Sequence, residues 1–243
     1  MKNTIIDKFY ELLFPENITC NFCGEDCDKQ RESGLCLECV NKLPFNNKNI
    51  CFKCGNLLRE GESCNVCKFT KHYFVKARAP FVYEGNVKEA IFKLKFNGER
   101  YIAKTFAYYL SLSYHLLNEN FDIIVPLPLS AKRLKERGYN QSELIAKELS
   151  KIVGVECKLV LDKVVHTPKQ SNVEITERSK NVENVFKVNS VKDIKNKSIL
   201  LIDDIFTTGA TVNSASRELM RKGARSVYVL TVAHTRQKSN VSN

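Results

Sequence analysis

Much of what bounds this 243-residue chain is what it does without. No stretch is apolar for long enough to cross a bilayer as a helix. The apolar run over residues 5–14 reads as a poor secretory leader, because Asp7 and Glu11 interrupt it. That run reads instead as a short amphipathic helix. No internal repeat or low-complexity segment stands out. Acidic residues are in short supply: the formal net charge is +11, of which residues 80–243 carry +9 and residues 1–79 only +2. These absences speak against a membrane-spanning helix and make a cytoplasmic protein the expectation. The basic surplus favours a polyanionic partner, a phosphorylated sugar or nucleic acid, over a plain lysine-rich solvated surface, but charge alone does not choose.

Cysteine is nearly absent from the last three quarters of the chain, where Cys157 stands alone. Nine of the ten cysteines precede Lys68. Eight of them form C-x-x-C pairs: Cys20 with Cys23, Cys36 with Cys39, Cys51 with Cys54, and Cys64 with Cys67. A two-residue spacing lets two thiolates and the intervening backbone N–H groups wrap one metal ion, and two such knuckles complete a tetrahedral site. Disulfides would need an oxidising compartment, which nothing here points to. Zinc is the expected metal, in one or two ions; iron in a rubredoxin-like site would use the same ligands. The simplest grouping is sequential, Cys20, Cys23, Cys36 and Cys39 on one ion and Cys51, Cys54, Cys64 and Cys67 on another. An interleaved grouping fits the spacing as well. Cys27 and Cys157 read as bystanders. The sites are closed and structural, and a module with few apolar residues is expected to fold only around its metal.

The chemistry concentrates in residues 198–211. Four consecutive apolar residues, Ile199 to Ile202, read as a strand buried on both faces. Asp203 and Asp204 follow, where the strand is expected to leave the sheet, and then a loop of Thr207, Thr208, Gly209, Ala210 and Thr211 opens an amphipathic helix. Backbone N–H groups at a helix N-terminus, with the positive end of its dipole, bind anions, and threonine hydroxyls add donors. The carboxylates suit sugar hydroxyls or a divalent cation instead. Phosphate at one end and vicinal hydroxyls at the other point to a ribose 5-phosphate. A plain capped helix is the alternative.

These residues resemble the phosphoribosyl-pyrophosphate (PRPP) motif of type I phosphoribosyltransferases. The resemblance implies that Asp203 and Asp204 hold the ribose and that Thr207 to Thr211 hold the 5-phosphate. It also implies that magnesium-bound pyrophosphate sits near residues 125–130, including Pro126 and Leu127. Residues 121–127 read as a second buried strand, stopped by Pro126 and Pro128. Arg133 and Arg137 lie in what reads as a basic loop before a helix over residues 142–153, and face either the same anion or solvent and nucleic acid. Elsewhere, a strand is expected over residues 76–83 and a helix over 87–96 with Asn86 as its cap. A further helix is expected over 100–117, strands over 160–165, 185–188 and 226–232, and a helix over 212–222. His166 is a candidate acid or base in a loop that also holds Pro168. Tyr83, Phe92, Phe96, Tyr101 and Tyr139 lie among basic residues, placed either to stack on bases or to fill the core.

Taken together, the cysteine pairs, Phe81-Val82-Tyr83-Glu84-Gly85, Lys93-Leu94-Lys95-Phe96, Arg137-Gly138-Tyr139-Asn140-Gln141, Thr167-Pro168-Lys169-Gln170 and Asp203 to Thr211 are similar to the ComF family. The fold class this implies is α/β: a type I phosphoribosyltransferase-like, mostly parallel sheet flanked by helices over residues 76–243, plus a small N-terminal zinc-binding module over residues 1–75. The resemblance further implies a part in handling single-stranded DNA during competence, with a helicase-like competence ATPase as partner. Whether the chain transfers a phosphoribosyl group from PRPP, and to what acceptor, stays open.

Overall fold

The computed structural model describes residues 19–26, 32–59, 63–164 and 185–236. The helix expected over residues 5–14, Cys27, the loop with His166, Thr167, Pro168, Lys169 and Gln170, Arg178, and the tail after Arg236 lie outside the described residues.

A parallel sheet forms the centre. In chain order its strands are β1 (Ala77–Arg78), β2 (Phe81–Val82), β3 (Ile123–Pro126), β6 (Ser198–Phe206) and β7 (Ser226–His234). The spatial order is β1-β7-β6-β3, with β2 also paired to β7 beyond β1. The near-continuous apolar runs of β3, β6 and β7 are what a sheet covered on both faces requires. Alternate residues serve opposite faces. Among its described residues the cysteine module holds two short helices, α1 (Leu37–Asn41) and α2 (Asn65–Phe69). Leu200, Ile202 and Leu230 pack with helices α3 (Gly85–Phe96), α4 (Ile102–His115) and α6 (Gln141–Val153). Ile199, Leu201 and Val229 pack with α7 (Ala210–Arg221). Two short strands, β4 (Leu161–Lys163) and β5 (Phe186–Val188), pair antiparallel as a separate ribbon.

Four details differ from expectation. The strand over residues 76–83 is broken in two at Ala79 and Pro80. The gap is filled from the cysteine module: Phe45 bridges Phe81, Asn46 N–H donates to Pro80 O at 2.8 Å, and Val82 N–H donates to Pro44 O at 2.7 Å. Proline has no N–H to give a ladder, so a neighbouring segment takes over the pairing. Second, β6 continues through Asp203 and Asp204 to Phe206, because Asp203 still pairs with Thr231 of β7. Third, the basic stretch is a helix rather than a loop: α5 (Ala131–Arg137) starts at Ser130, whose hydroxyl accepts from Arg133 N–H, and stops at Gly138 with φ 76°. Fourth, Glu84 rather than Asn86 precedes α3, and Asn86 Nδ2 donates instead to Cys39 O at 3.1 Å.

The cysteine module also carries more apolar burial than its composition suggested. Phe22, Leu35 and Leu43 join the core beside α3 and α4, while Cys51, Cys54 and Phe74 join the opposite one.

Candidate functional site

The structure gathers the cysteines sequentially. In each of two groups, Cys20, Cys23, Cys36 and Cys39, and Cys51, Cys54, Cys64 and Cys67, the sulfur atoms all lie within 4.8 Å of one another. Among the described residues the interleaved grouping does not occur. Burial works against ionisation of Cys20, yet N–H groups of Cys23, Cys36 and Phe22 bring it down to about 6. Burial foremost, then neighbouring thiols, push Cys39 up. Four thiols this close cannot all ionise without a cation among them, so the donor set fits a tetrahedral dication such as zinc.

The second site is the C-terminal end of β6. Asp203 and Asp204 are both buried, at 9 % and 6 % exposure, and their partners come from two other elements. Ser142, in the first turn of α6, donates its hydroxyl to Asp203 Oδ1 at 3.0 Å. Gln141 Nε2 donates to Asp204 Oδ2 at 2.9 Å. Lys95, near the end of α3, places Nζ 2.7 Å from the same oxygen. Asn140 aims this start of α6, its side chain capping Ser142 N–H and donating to Leu127 O at 2.9 Å. Burial foremost, and the Asp204 charge next, push Asp203 up to about 7, against the pull of the Asp204 N–H, Ser142 and Lys95. A buried acid held near neutrality responds sharply to an arriving cation or hydroxyl.

Beyond the pair, Thr207, Thr208, Ala210 and Thr211 are exposed and Gly209 is buried. Gly209 has φ 77°, and a side chain there would collide with the Phe206 ring beneath it. Glycine is therefore dictated twice, by conformation and by space. Thr208 Oγ1 accepts from Ala210 N–H at 3.3 Å at the start of α7. The remaining first-turn N–H groups of α7 have no intrahelical acceptor by construction, which is the geometry that suits an anion.

On the other side of the acidic pair, Lys95, Phe96, Gly98, Arg133, Glu136, Arg137 and Tyr139 line a cavity of about 370 Å³. Arg133 and Arg137 thus share one hollow, with Lys95 linking it to Asp204. Arg137 lies over the Phe96 ring, 4.9 Å from its centre, and donates to Gln141 Oε1 at 3.0 Å. Lys163 of β4 is held down by burial first and by Arg133 next, with Asp203 opposing. Pro126 and Leu127 are buried, and the Leu127 N–H is taken by Ile202 O at 2.9 Å. Neither lines the hollow with Arg133 and Arg137, and the two offer no free backbone donor. A larger cavity of about 620 Å³ holds Cys157 and paired lysines but neither carboxylate nor any of their partners.

Of the aromatic residues singled out in the sequence, Tyr139 is buried, while Phe92, Phe96 and Tyr101 are at least half exposed. Sequence reasoning did not assign Lys95, Gln141, Ser142 or Lys163 to the acidic pair. Lys95 and Gln141 stood in quoted motifs, but no periodicity reports a contact between residues some 60 to 110 positions apart.

Residues 9–68 match the double zinc ribbon domain family, and residues 136–242 the phosphoribosyl transferase domain family. The chain is 31% identical over 202 residues to Competence protein ComFC of Bacillus subtilis, covering 78% of this chain and 79% of that one. It is 26% identical over 211 residues to DNA utilization protein YhgH of Escherichia coli, covering 83% and 91%. Among solved structures, an allosteric regulatory enzyme of purine biosynthesis aligns at 16% identity over 55% of this chain and 26% of that one, with a TM-score of 0.40.

Proposed function

The chain belongs to the ComF family of competence proteins, and on that footing we propose that it binds single-stranded DNA and holds PRPP, or another ribose 5-phosphate, in the pocket at the end of β6. The observation that carries the pocket is the pairing of a buried Asp-Asp with a glycine-threonine helix start on one strand end. In this reading Thr207 to Thr211 grip the 5-phosphate, and Asp203 and Asp204 take the ribose hydroxyls. Magnesium with the pyrophosphate occupies the hollow beside Arg133 and Arg137. Lys95 holds the carboxylates' charge and yields as ligand and magnesium arrive. DNA would lie along the basic face that also carries Phe92 and Phe96, its affinity falling steeply with salt as phosphate contacts require. Zinc in both tetracysteine groups is structural.

The cationic hollow beside the acidic pair also favours a second reading, an active phosphoribosyltransferase, since a leaving pyrophosphate would be stabilised there. Calorimetric titration of the zinc-loaded protein with PRPP and magnesium, with and without single-stranded DNA, tests the first reading. PRPP binding that disappears in Asp203→Asn with Asp204→Asn, at unchanged zinc content, is the expected result. Unchanged affinity in that variant would sink the pocket assignment. Pyrophosphate release from PRPP in the presence of a nitrogen nucleophile would establish the second.

A further inference from the structure

The second tetracysteine group is continuous with the floor and the edge of the threonine-glycine loop, and every link is a named contact. Cys67 Sγ lies 3.4 Å from His72 Nε2. The His72 ring stacks on Phe74 at 4.7 Å between centres. Phe74 is fully buried and meets Phe206 in a T-shaped contact, 6.1 Å between centres. Phe206 is the ring directly beneath Gly209, and it stacks in turn on His234 at 4.6 Å.

A second set of contacts runs along the surface. Asn213, one turn into α7, accepts Tyr73 N–H at 2.7 Å and donates to Lys71 O at 2.9 Å. A single side chain thus reads a donor and an acceptor of the strap over residues 71–74, as a neighbouring strand would. One turn further, the Arg217 guanidinium lies 5.7 Å from the centre of the Tyr73 ring. The strap has no helix or strand of its own. Its conformation is set by the thiolate cluster at one end and by α7 at the other.

We propose that the Cys51, Cys54, Cys64 and Cys67 site acts, through the strap and Asn213, as the brace that holds the anion-binding loop in its liganded shape. Asn213 is a positioning residue in this arrangement, and the first tetracysteine group has no such role. The inference rests on the phosphate-pocket reading for its ligand, but its mechanical half does not. Zinc in the second site tightens the loop, so it tightens a phosphorylated ribose bound there. By reciprocity the ligand must tighten that zinc by the same factor and leave the other zinc alone.

Asn213→Ala tests the brace without touching a cysteine. Alanine is the better helix former, so α7 itself is not weakened. Expected are two zinc ions retained, faster amide exchange over residues 71–76 and 207–213, and PRPP–magnesium affinity about tenfold lower, the size expected for two lost hydrogen bonds. Asn213→Asp keeps the acceptor and loses the donor, and should fall between. In the unsubstituted protein, PRPP should slow the transfer of one of the two zinc ions to a chromogenic chelator, and in Asn213→Ala it should slow neither. Wild-type loop exchange in Asn213→Ala would overturn the brace. Should the exchange respond while neither PRPP nor ribose 5-phosphate binds the unsubstituted protein, the brace stands and the ligand reading falls.

Discussion

The two tetracysteine groups share one spacing and one chemistry, yet they face opposite sides of the same sheet. The first is docked on the helical face. Asn21 Nδ2 donates to Thr105 Oγ1, Thr105 donates to Ser33 O, Lys93 Nζ donates to Phe22 O, and Asn86 donates to Cys39 O. These contacts fix α3 and α4, and α3 ends in Lys95 and the exposed Phe96. The second packs into the opposite core, takes the Ala77 N–H of β1 on Lys53 O at 2.8 Å, and reaches the loop after the acidic pair through Phe74 and Phe206. Cys23 of the first group is exposed, whereas Cys51 and Cys54 of the second are both buried. What a zinc knuckle does is therefore decided less by its ligands than by the element it presses on. One group supports the helices that carry Lys95 and Phe96, and the other supports the threonine-glycine loop after Asp204.

Replacing cysteine pairs should break the comparison most forcefully. Cys51→Ser with Cys54→Ser is expected to lose one zinc equivalent and all measurable PRPP binding. Cys20→Ser with Cys23→Ser should lose one equivalent while PRPP binding persists and DNA affinity drops. Metal content by emission spectroscopy and parallel titrations check both, and equal losses of PRPP binding would erase the distinction.

A smaller effect sharpens the first group's side. Phe92 and Phe96 lie 4.9 Å apart at the end of α3, with Arg137 over the second ring. Stacking of a base is worth about 1–3 kcal/mol, so Phe92→Ala with Phe96→Ala should weaken single-stranded DNA binding by about tenfold or more. Because both rings are exposed, zinc content should not move. Fluorescence anisotropy with a labelled oligonucleotide measures the first, and an unchanged anisotropy curve would remove the platform.

The smallest effect concerns neither zinc group and so serves as the reference for both. Asp203 is raised in the folded state to about 7 from an ordinary value of 3.8. Between those values the folded protein binds more protons than the unfolded chain, so its stability falls as pH rises and levels off above about 7. Asp203→Asn removes that slope. It should raise the melting temperature more at pH 8 than at pH 6, while impairing the ribose site. A gain equal at both pH values would show that Asp203 is ionised throughout.

Much of the architecture was legible in the sequence because its signals are local. The runs at residues 199–202 and 226–232 and the C-x-x-C spacing each declare themselves within a few residues. The fold departs from that reading where two distant segments meet. Pro80 breaks a strand that the alternation of Ala77, Ala79, Phe81 and Tyr83 made continuous, because residues 44–46 supply the missing pairing. Asp203 and Asp204 stay in the sheet because Ser142, Gln141 and Lys95 meet them there. Arg133 and Arg137 read as loop residues beside Gly138, although Ser130 already supplied a helix cap. The acidic pair and its loop were thus visible as a motif, and their electrostatic partners only as a three-dimensional fact.

The pairing of β1 and β2 with β7 has a kinetic consequence. Ala77 sits opposite Val229 and Phe81 opposite Ala233, partners about 150 residues apart in the chain. During synthesis the cysteine module and its edge strands emerge long before the strand that receives them. The knuckles are local enough to take up metal at once, but the sheet's edge stays open until the last strand is made. Early metal loading then guards a nascent edge that would otherwise offer its backbone to other chains, and starving a producing cell of zinc should raise the insoluble fraction of this protein more than it slows its synthesis.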